Sequence, residues 1–114
     1  MKTLAPLFCA ASTAFVMVAA QAAVDGVRAR VLATENACLA CHAVTMRVVG
    51  PAFADVAARY GKDTQDAGPV AGQLAERIRS GGTGKWGTLE MPAQSRLSPA
   101  DARLLAEWIL SGSP

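Results

Sequence analysis

The stretch Cys38-Leu39-Ala40-Cys41-His42 decides how the rest of the chain is interpreted. Two cysteines with two residues between them, followed directly by a histidine, form the attachment pattern of a c-type haem. Thiols at this spacing can form thioethers to two vinyl groups on one porphyrin edge, and the histidine then lies beneath the iron as an axial ligand. The motif therefore predicts one covalently attached haem c, with Cys38 and Cys41 as attachment points and His42 as a metal ligand.

Three other kinds of site use the same residue types. A structural zinc site needs four cysteine or histidine ligands, and beyond residue 22 the chain offers only Cys38, Cys41 and His42. A thioredoxin-like dithiol belongs in a βαβ setting, for which the sequence shows no strand pattern. A nucleophilic cysteine normally pairs with a histidine distant in sequence, but His42 is the sole histidine. Haem attachment is the interpretation that remains.

The second axial ligand can be sought by elimination. Met46 lies only four residues after His42, too close to reach the opposite haem face, and two further methionines belong to the N-terminal segment. Met91, in the irregular stretch 85–97, is left, with Lys85 as a minor alternative because its ammonium would first have to lose a proton. A lone methionine often fills a gap in a core instead. A His/Met pair raises the reduction potential and leaves no open coordination position, which predicts electron transfer rather than catalysis.

The first 22 residues have the features of a secretory signal peptide. Lys2 supplies the positive charge, residues 4–20 are apolar or small without a charge, and Ala20-Gln21-Ala22 gives the small-x-small cleavage pattern. A membrane-spanning helix needs about 20 predominantly apolar residues, whereas this stretch is shorter and contains Pro6. We therefore expect a signal peptide at 1–22, a mature domain at 23–114, a periplasmic location and no stable membrane insertion of the mature chain.

Composition limits the remaining possibilities. The chain has 114 residues and a formal net charge of +2, with eleven basic residues scattered among nine acidic ones. No run of charge indicates nucleic acid as a partner, and the length allows one small domain. A small exported domain without a long-range disulfide commonly needs a cofactor to complete its core.

Apolar residues recur with helical spacing in four segments, and no segment alternates like a strand. We predict that the third helix follows a loop at 62–69, and that the fourth begins at Ser98-Pro99. Gly61 and Gly112 are the expected ends of the second and fourth helices. The fold class is therefore all-α, with about four helices around one covalent haem. The four predicted faces are Val24, Val27 and Val31; Phe53, Val56, Ala57 and Tyr60; Val70, Leu74 and Ile78; and Leu104, Leu105, Trp108 and Ile109.

The chain resembles the class I cytochromes c, and most closely the short bacterial cytochrome c-551 type. The resemblance covers nearly all of 31–110 and rests on several motifs in combination. These are CLACH, VVGPAFADVAARY, LAERIRSGG, KWGTLEMP and LSPADARLLAEWIL. It implies an electron-transfer protein rather than an enzyme, with Met91 as the distal iron ligand.

The resemblance also implies a haem environment. Pro51 matches the proline whose carbonyl accepts a hydrogen bond from the ligand histidine, and Arg77 and Trp86 match residues that hold a buried haem propionate. Trp108 is expected to pack against the first helix. The chain departs from close relatives in having Gln94 where they have an asparagine near the methionine, and 62–72 looks like a surface-loop insertion.

The function implied is that of a periplasmic carrier of single electrons between a quinol-oxidising membrane complex and a terminal reductase or oxidase. Redox partner proteins would dock at the exposed haem edge, and the protein is expected to be a monomer. The main alternative is a haem-bearing subunit that feeds or drains one particular dehydrogenase, and the sequence distinguishes it poorly from a free electron shuttle. A catalytic haem protein such as a peroxidase is disfavoured by the filled sixth position. The predicted docking residues are Leu39, Ala40, Val48, Val49, Pro92 and Ala93, with Arg47 and Arg96 at the rim.

Overall fold

The computed structural model describes residues 26–61 and 67–114. Helix α1 is described over 26–35, and a short 3-10 helix follows at Cys38–Ala40. Then come α2 (Phe53–Tyr60), α3 (Ala67–Ser80) and α4 (Pro99–Leu110). Within the described ranges the backbone forms no strand, only two isolated antiparallel bridges. The predicted all-α class is confirmed, while the predicted signal peptide lies outside the described residues.

Helix α2 carries the short apolar face that the sequence predicts. Phe53 and Val56 are buried, while the acidic Asp55 lies in the first turn and Arg59 in the last. Each charge thus opposes the partial charge at its end of the helix dipole. The helix ends where expected, with the Gly61 N–H donating to the Ala57 carbonyl at 2.6 Å.

Helix α4 is the element against which the other helices pack. The Ser98 hydroxyl accepts a hydrogen bond from the Asp101 N–H at 3.0 Å, so Ser98 is the N-cap, and Pro99 occupies the first turn. Leu105, Trp108 and Ile109 are buried along one face, and α4 packs against both α2 and α3. The predicted start and apolar face of this helix are confirmed.

The predicted apolar face of α1 is wrong. Val27 and Val31 are 64% and 48% exposed, whereas Ala29, Leu32 and Ala33 are buried. The two alanines allow close approach of the α1 backbone, and a valine stripe would hold it further away. The buried face of α1 belongs to the same hydrophobic cluster as Trp108, as expected.

Helix α3 begins earlier than the sequence predicts. It starts at Ala67 rather than Val70, so the predicted loop at 62–69 is too long. Residues 67–72 of the predicted loop insertion are therefore helical. Pro69 does not prevent this because it lies in the first turn, where backbone N–H groups lack intrahelical partners anyway. Ala71, Ala75 and Ile78 form the buried face.

The irregular segment after α3 is fixed at its base. We call residues 82–91 the strap. Its two ends are joined by an antiparallel bridge, in which Gly82 N–H donates to the Met91 carbonyl at 3.0 Å and Met91 N–H donates to the Gly82 carbonyl at 2.9 Å. Just beyond, the Gln94 N–H donates to the Arg79 carbonyl at 3.0 Å, which ties the chain to the end of α3.

Gly81 is required where α3 meets the strap. Its φ is +66°, and a Cβ there would collide with the Met91 carbonyl oxygen and lie 2.7 Å from the Ala93 nitrogen. We expect Gly81→Ala to lower the free energy of unfolding by about 1–3 kcal/mol. It should also speed hydrogen exchange of the Met91 N–H beyond the change in global stability.

Gly112→Ala is the matched control for this substitution. Gly112 has a φ of +98°, but a Cβ there would meet no atom within 4 Å. This variant should lose stability by backbone strain alone. If both variants changed Met91 exchange equally after correction for global stability, the collision with the strap would not be the cause.

The ion pair between α1 and α4 predicts a pH dependence of stability. The Arg28 guanidinium donates to the Asp101 carboxylate at 2.8 Å and holds the pKa of that carboxyl below its usual value, with a smaller contribution from Ser98. A carboxyl group whose pKa is lower in the folded than in the unfolded protein contributes stability at pH values above its unfolded-state pKa. This contribution is lost as the pH falls through the folded-state pKa.

We therefore expect Arg28→Ala to lower the Tm near neutral pH, with the difference from wild type shrinking as the pH falls through the acidic range. Thermal unfolding monitored by circular dichroism at several pH values measures it. Glu35→Gln, which changes an exposed carboxylate outside the pair, serves as the control. If the difference in Tm between wild type and Arg28→Ala stayed constant down to strongly acidic pH, the ion pair would not be the source of that difference.

Candidate haem-binding site

A deep cleft runs between the Cys38–His42 segment and the strap. The empty space inside it, including the open solvent at its mouth, is about 1230 Å³. Its floor is apolar and is shared with the hydrophobic core. All seven predicted site residues line this cleft: Cys38, Cys41, His42, Pro51, Arg77, Trp86 and Met91.

The 3-10 helix brings the motif residues to one wall. Ala37 precedes it with a φ of +56°, which turns the chain sharply out of α1. The N–H groups of Cys41 and His42 both donate to the Cys38 carbonyl, at 3.2 and 3.0 Å. This tight turn places the two half-buried thiols and the imidazole beside one another along the cleft.

Burial raises the pKa of the Cys38 thiol. A backbone hydrogen bond lowers the pKa and the electrostatic effect of the neighbouring Cys41 raises it, but removal from water has the largest effect. Both cysteines are free, without a disulfide. The Cys38 side chain is thus a neutral thiol at physiological pH, in keeping with an apolar wall.

The imidazole of His42 has a defined tautomer. Its Nδ1 lies 2.7 Å from the Pro51 carbonyl oxygen. A carbonyl oxygen can only accept a hydrogen bond, so Nδ1 must carry the proton and donate it. Nε2 then keeps its lone pair, which is the form of histidine that ligates a metal. Pro51 itself is buried, so this bond is shielded from water.

Two further contacts fix the plane of the His42 ring. Phe53 stacks on it, with centroids 5.3 Å apart and an interplanar angle of 17°. Phe53 in turn packs edge-on against Trp108, at 5.7 Å and 70°. The Gly50 backbone lies so close to the ring that a Cβ at this position would collide with the imidazole. The orientation of His42 is therefore tied to the core of the protein.

The strap supplies other walls of the cleft. Met91 and Trp86 are half-buried, and Arg77 reaches the same cleft from the exposed face of α3. Lys85 lines the cleft as well. The side-chain amide of Gln94 donates to the Pro92 carbonyl at 3.5 Å.

Sequence analysis missed the contacts that hold the strap tip. The Arg47 Nη2 donates to the Trp86 carbonyl at 2.9 Å, although the sequence placed Arg47 at the docking rim. Arg59 was given no role, yet its Nη1 donates to the Lys85 carbonyl at 2.7 Å. Its guanidinium carbon also lies 4.6 Å from the centroid of the Trp86 ring. An exposed arginine at the end of an amphipathic helix gives no sequence signal of such a contact.

The chemistry of the lining fits a covalently attached haem. One wall offers two free thiols and an imidazole with an available Nε2, and the strap offers a thioether. Imidazole and thioether groups are iron ligands that haem proteins use, and two free thiols at this spacing can form thioethers to the porphyrin vinyl groups. The core side of the cleft is lined by Phe53, Val56, Leu105 and Ile109, as a flat apolar ring system requires.

Comparison with known proteins agrees with this fit. The family model described as cytochrome c matches residues 27–113. Cytochrome c-552 of Nitrosomonas europaea is 49% identical over 80 residues, which cover 70% of this chain and 74% of that protein. Cytochrome c-551 of Pseudomonas aeruginosa is 43% identical over 81 residues, covering 71% and 73%.

Solved structures show the same fold. The crystal structure of wild-type Nitrosomonas europaea cytochrome c552 is 48% identical and matches with a TM-score of 0.63, covering 71% of this chain and 95% of that one. The class 1 cytochrome MtoD from Sideroxydans lithotrophicus ES-1 is 32% identical with a TM-score of 0.61, covering 76% and 95%. The chain belongs to the cytochrome c family, as a class I electron carrier of the c-551 type with one covalently attached haem c.

Proposed function

We propose that this cytochrome is a periplasmic one-electron shuttle whose haem iron is ligated by His42 and Met91. The observation that carries the proposal is that both side chains line one apolar cleft, with the His42 Nδ1 committed to the Pro51 carbonyl at 2.7 Å. The shuttle passes electrons between a quinol-oxidising membrane complex and a terminal reductase or oxidase. Exchange of one electron between Fe(II) and Fe(III) is the chemistry that the haem supplies when bound.

The protein side chains determine how that chemistry is used. Cys38 and Cys41 would hold the porphyrin by two thioether bonds, so the cofactor would not dissociate. The His42 Nε2 and the Met91 sulfur would bind the iron, which would leave no position for dioxygen, peroxide or substrate. A thioether ligand also raises the reduction potential. The apolar lining keeps water away, which limits reorganisation during electron exchange.

Arg77 and Trp86 are proposed to hold a haem propionate. Both line the cleft, Arg77 from α3 and Trp86 from the strap. A buried carboxylate is costly unless it is paired and hydrogen-bonded, and a guanidinium together with an indole N–H supplies those partners. Arg47 and Arg59 donate to backbone carbonyls of the strap, so these hydrogen bonds do not use the Trp86 indole N–H.

The redox partners are proposed to dock on the apolar surface around the cleft mouth. Leu39, Val48 and Val49 are 47%, 52% and 45% exposed, and Ala40, Pro92 and Ala93 are exposed beside them. A small apolar patch suits the brief encounters of electron-transfer proteins, whose interfaces are small and weak.

In the part of the chain that the structure describes, no helix is long and apolar enough to cross a membrane.

The axial role of Met91 can be tested by Met91→Ala in the holoprotein. We expect the reduction potential to fall by on the order of 0.1 V, within the roughly 0.8 V range that axial ligands span. The iron should also bind imidazole far more readily because its sixth position is no longer filled. Spectroelectrochemistry and imidazole titration measure the two effects.

Met46→Ala is the matched control, because Met46 is 63% exposed and outside the cleft lining. It should leave both potential and imidazole binding at wild-type values. If Met91→Ala behaved like Met46→Ala, the axial ligand would have to be another residue, and Lys85→Ala would be examined in the same way.

The proposed export can be tested by the mass and location of the protein expressed in a Gram-negative host with a haem-attachment system. We expect a periplasmic protein that begins at Ala23 and carries one haem. Cleavage should be blocked by replacing the small residues on both sides of Gln21 with arginine. A periplasmic protein that still contained Lys2 would refute the proposed cleavage.

A further inference from the structure

We propose that Arg47 and Arg59 are positioning residues that clamp the tip of the strap and so keep Met91 on the iron. The proposal rests on the proposed ligation by Met91. It adds a second point of attachment to the strap, which the bridge between Gly82 and Met91 fixes only at its base.

The two arginines bind successive carbonyls at the tip of the strap. Arg59 donates to the Lys85 carbonyl at 2.7 Å and Arg47 donates to the Trp86 carbonyl at 2.9 Å. Arg59 also lies over the Trp86 ring, and Tyr60 packs edge-on against that ring with centroids 6.2 Å apart. The tip is thus held by two hydrogen bonds from cations, one cation–π contact and one contact between aromatic rings.

The strap needs this attachment because three of its ten residues are glycines. Gly84 and Gly87 have φ values of +94° and +124°, and the Gly84 N–H donates to the Gly87 carbonyl at 2.9 Å. Glycines lose more backbone entropy on ordering than other residues. Burial compensates little, since Leu89 is 66% exposed. Hydrogen bonds and ring contacts at the tip therefore contribute much of what holds the strap in one conformation.

The clamp joins the two sides of the cleft. Arg47 pairs with His42 in an antiparallel backbone bridge, and Arg59 lies on α2, whose Phe53 stacks on the His42 ring. The strap tip is therefore held from the same segments that orient His42. Opening of the tip would loosen the Met91 side of the cleft while leaving the His42 side in place.

Arginine suits this task and lysine does not. A guanidinium can donate in its plane to a carbonyl while its face stacks on an aromatic ring. The Arg59 contacts use both properties at once, with Nη1 on Lys85 and the guanidinium face over Trp86. Lysine keeps the charge and most of the length but cannot satisfy both contacts.

The test uses the holoprotein with Arg47→Ala, because a lysine at 47 could still donate to the Trp86 carbonyl, and with Arg59→Lys and the double substitution. Hydrogen exchange of the strap amides reports opening of the tip, and the rate of imidazole binding to the ferric protein reports loss of the Met91 bond. We expect each single variant to raise the exchange rate of the strap amides and the rate of imidazole binding by roughly threefold to tenfold. The double variant should raise both rates further. Exchange in α4 should stay at the wild-type rate.

Arg103→Ala and Arg103→Lys are the matched controls, since Arg103 on α4 pairs with Glu107 at 2.9 Å and lies outside the cleft lining. Both should leave the two measurements at their wild-type values. Wild-type strap exchange in the double variant would overturn the proposal. Faster strap exchange without faster imidazole binding would overturn it as well, because the clamp would then not act on the ligand.

Failure of the proposed ligation gives a different result. If Met91→Ala bound imidazole no faster than wild type, Met91 would not be the ligand, whatever the strap exchange showed. The strap amides report the clamp independently of the iron, so the two failures can be told apart.

Discussion

The hydrogen bond from the His42 Nδ1 to the Pro51 carbonyl is the interaction on which the site depends. It determines which ring nitrogen keeps a lone pair, and so whether the imidazole can bind iron at all. The stacking of Phe53 on the ring, and of Trp108 against Phe53, carries this orientation into the hydrophobic core. A shift in α4 would therefore change the orientation of the imidazole that is proposed to bind the iron, although α4 contributes no predicted axial ligand.

Core and cleft are one structure in this small domain. Ala33, Phe53, Val56, Ile78, Leu105 and Ile109 belong to the hydrophobic cluster and also line the cleft. A haem placed there covers the open side of the same side chains, so cofactor binding and folding are linked. This explains why a chain of 114 residues can leave so large a cleft in its middle. The cofactor completes the core that the helices leave open.

The sequence predicted those features whose causes are local. Three such features depend on a few neighbouring residues: the cysteine spacing, the Ser98 cap and the helix end at Gly61. The family resemblance supplied Pro51 as the partner of His42. The exposed valines of α1 show where local pattern fails, because the alanines that permit close helix packing carry little periodic signal. The clamp through Arg59 could not be predicted, since it joins an exposed helix residue to a backbone carbonyl 26 positions away.

The contacts between α1 and α4 have a consequence for the order of folding. Arg28 and Asp101 are 73 residues apart in the chain, and Arg30 reaches the Pro114 carbonyl over 84 residues. Closing such long loops carries an entropic cost that must be met before the contacts stabilise anything. The turn from His42 to Pro51 spans only nine residues and can form early. We therefore expect the Cys38–His42 segment to be organised while α1 and α4 are still apart, so that the helices close around a segment that already has its shape.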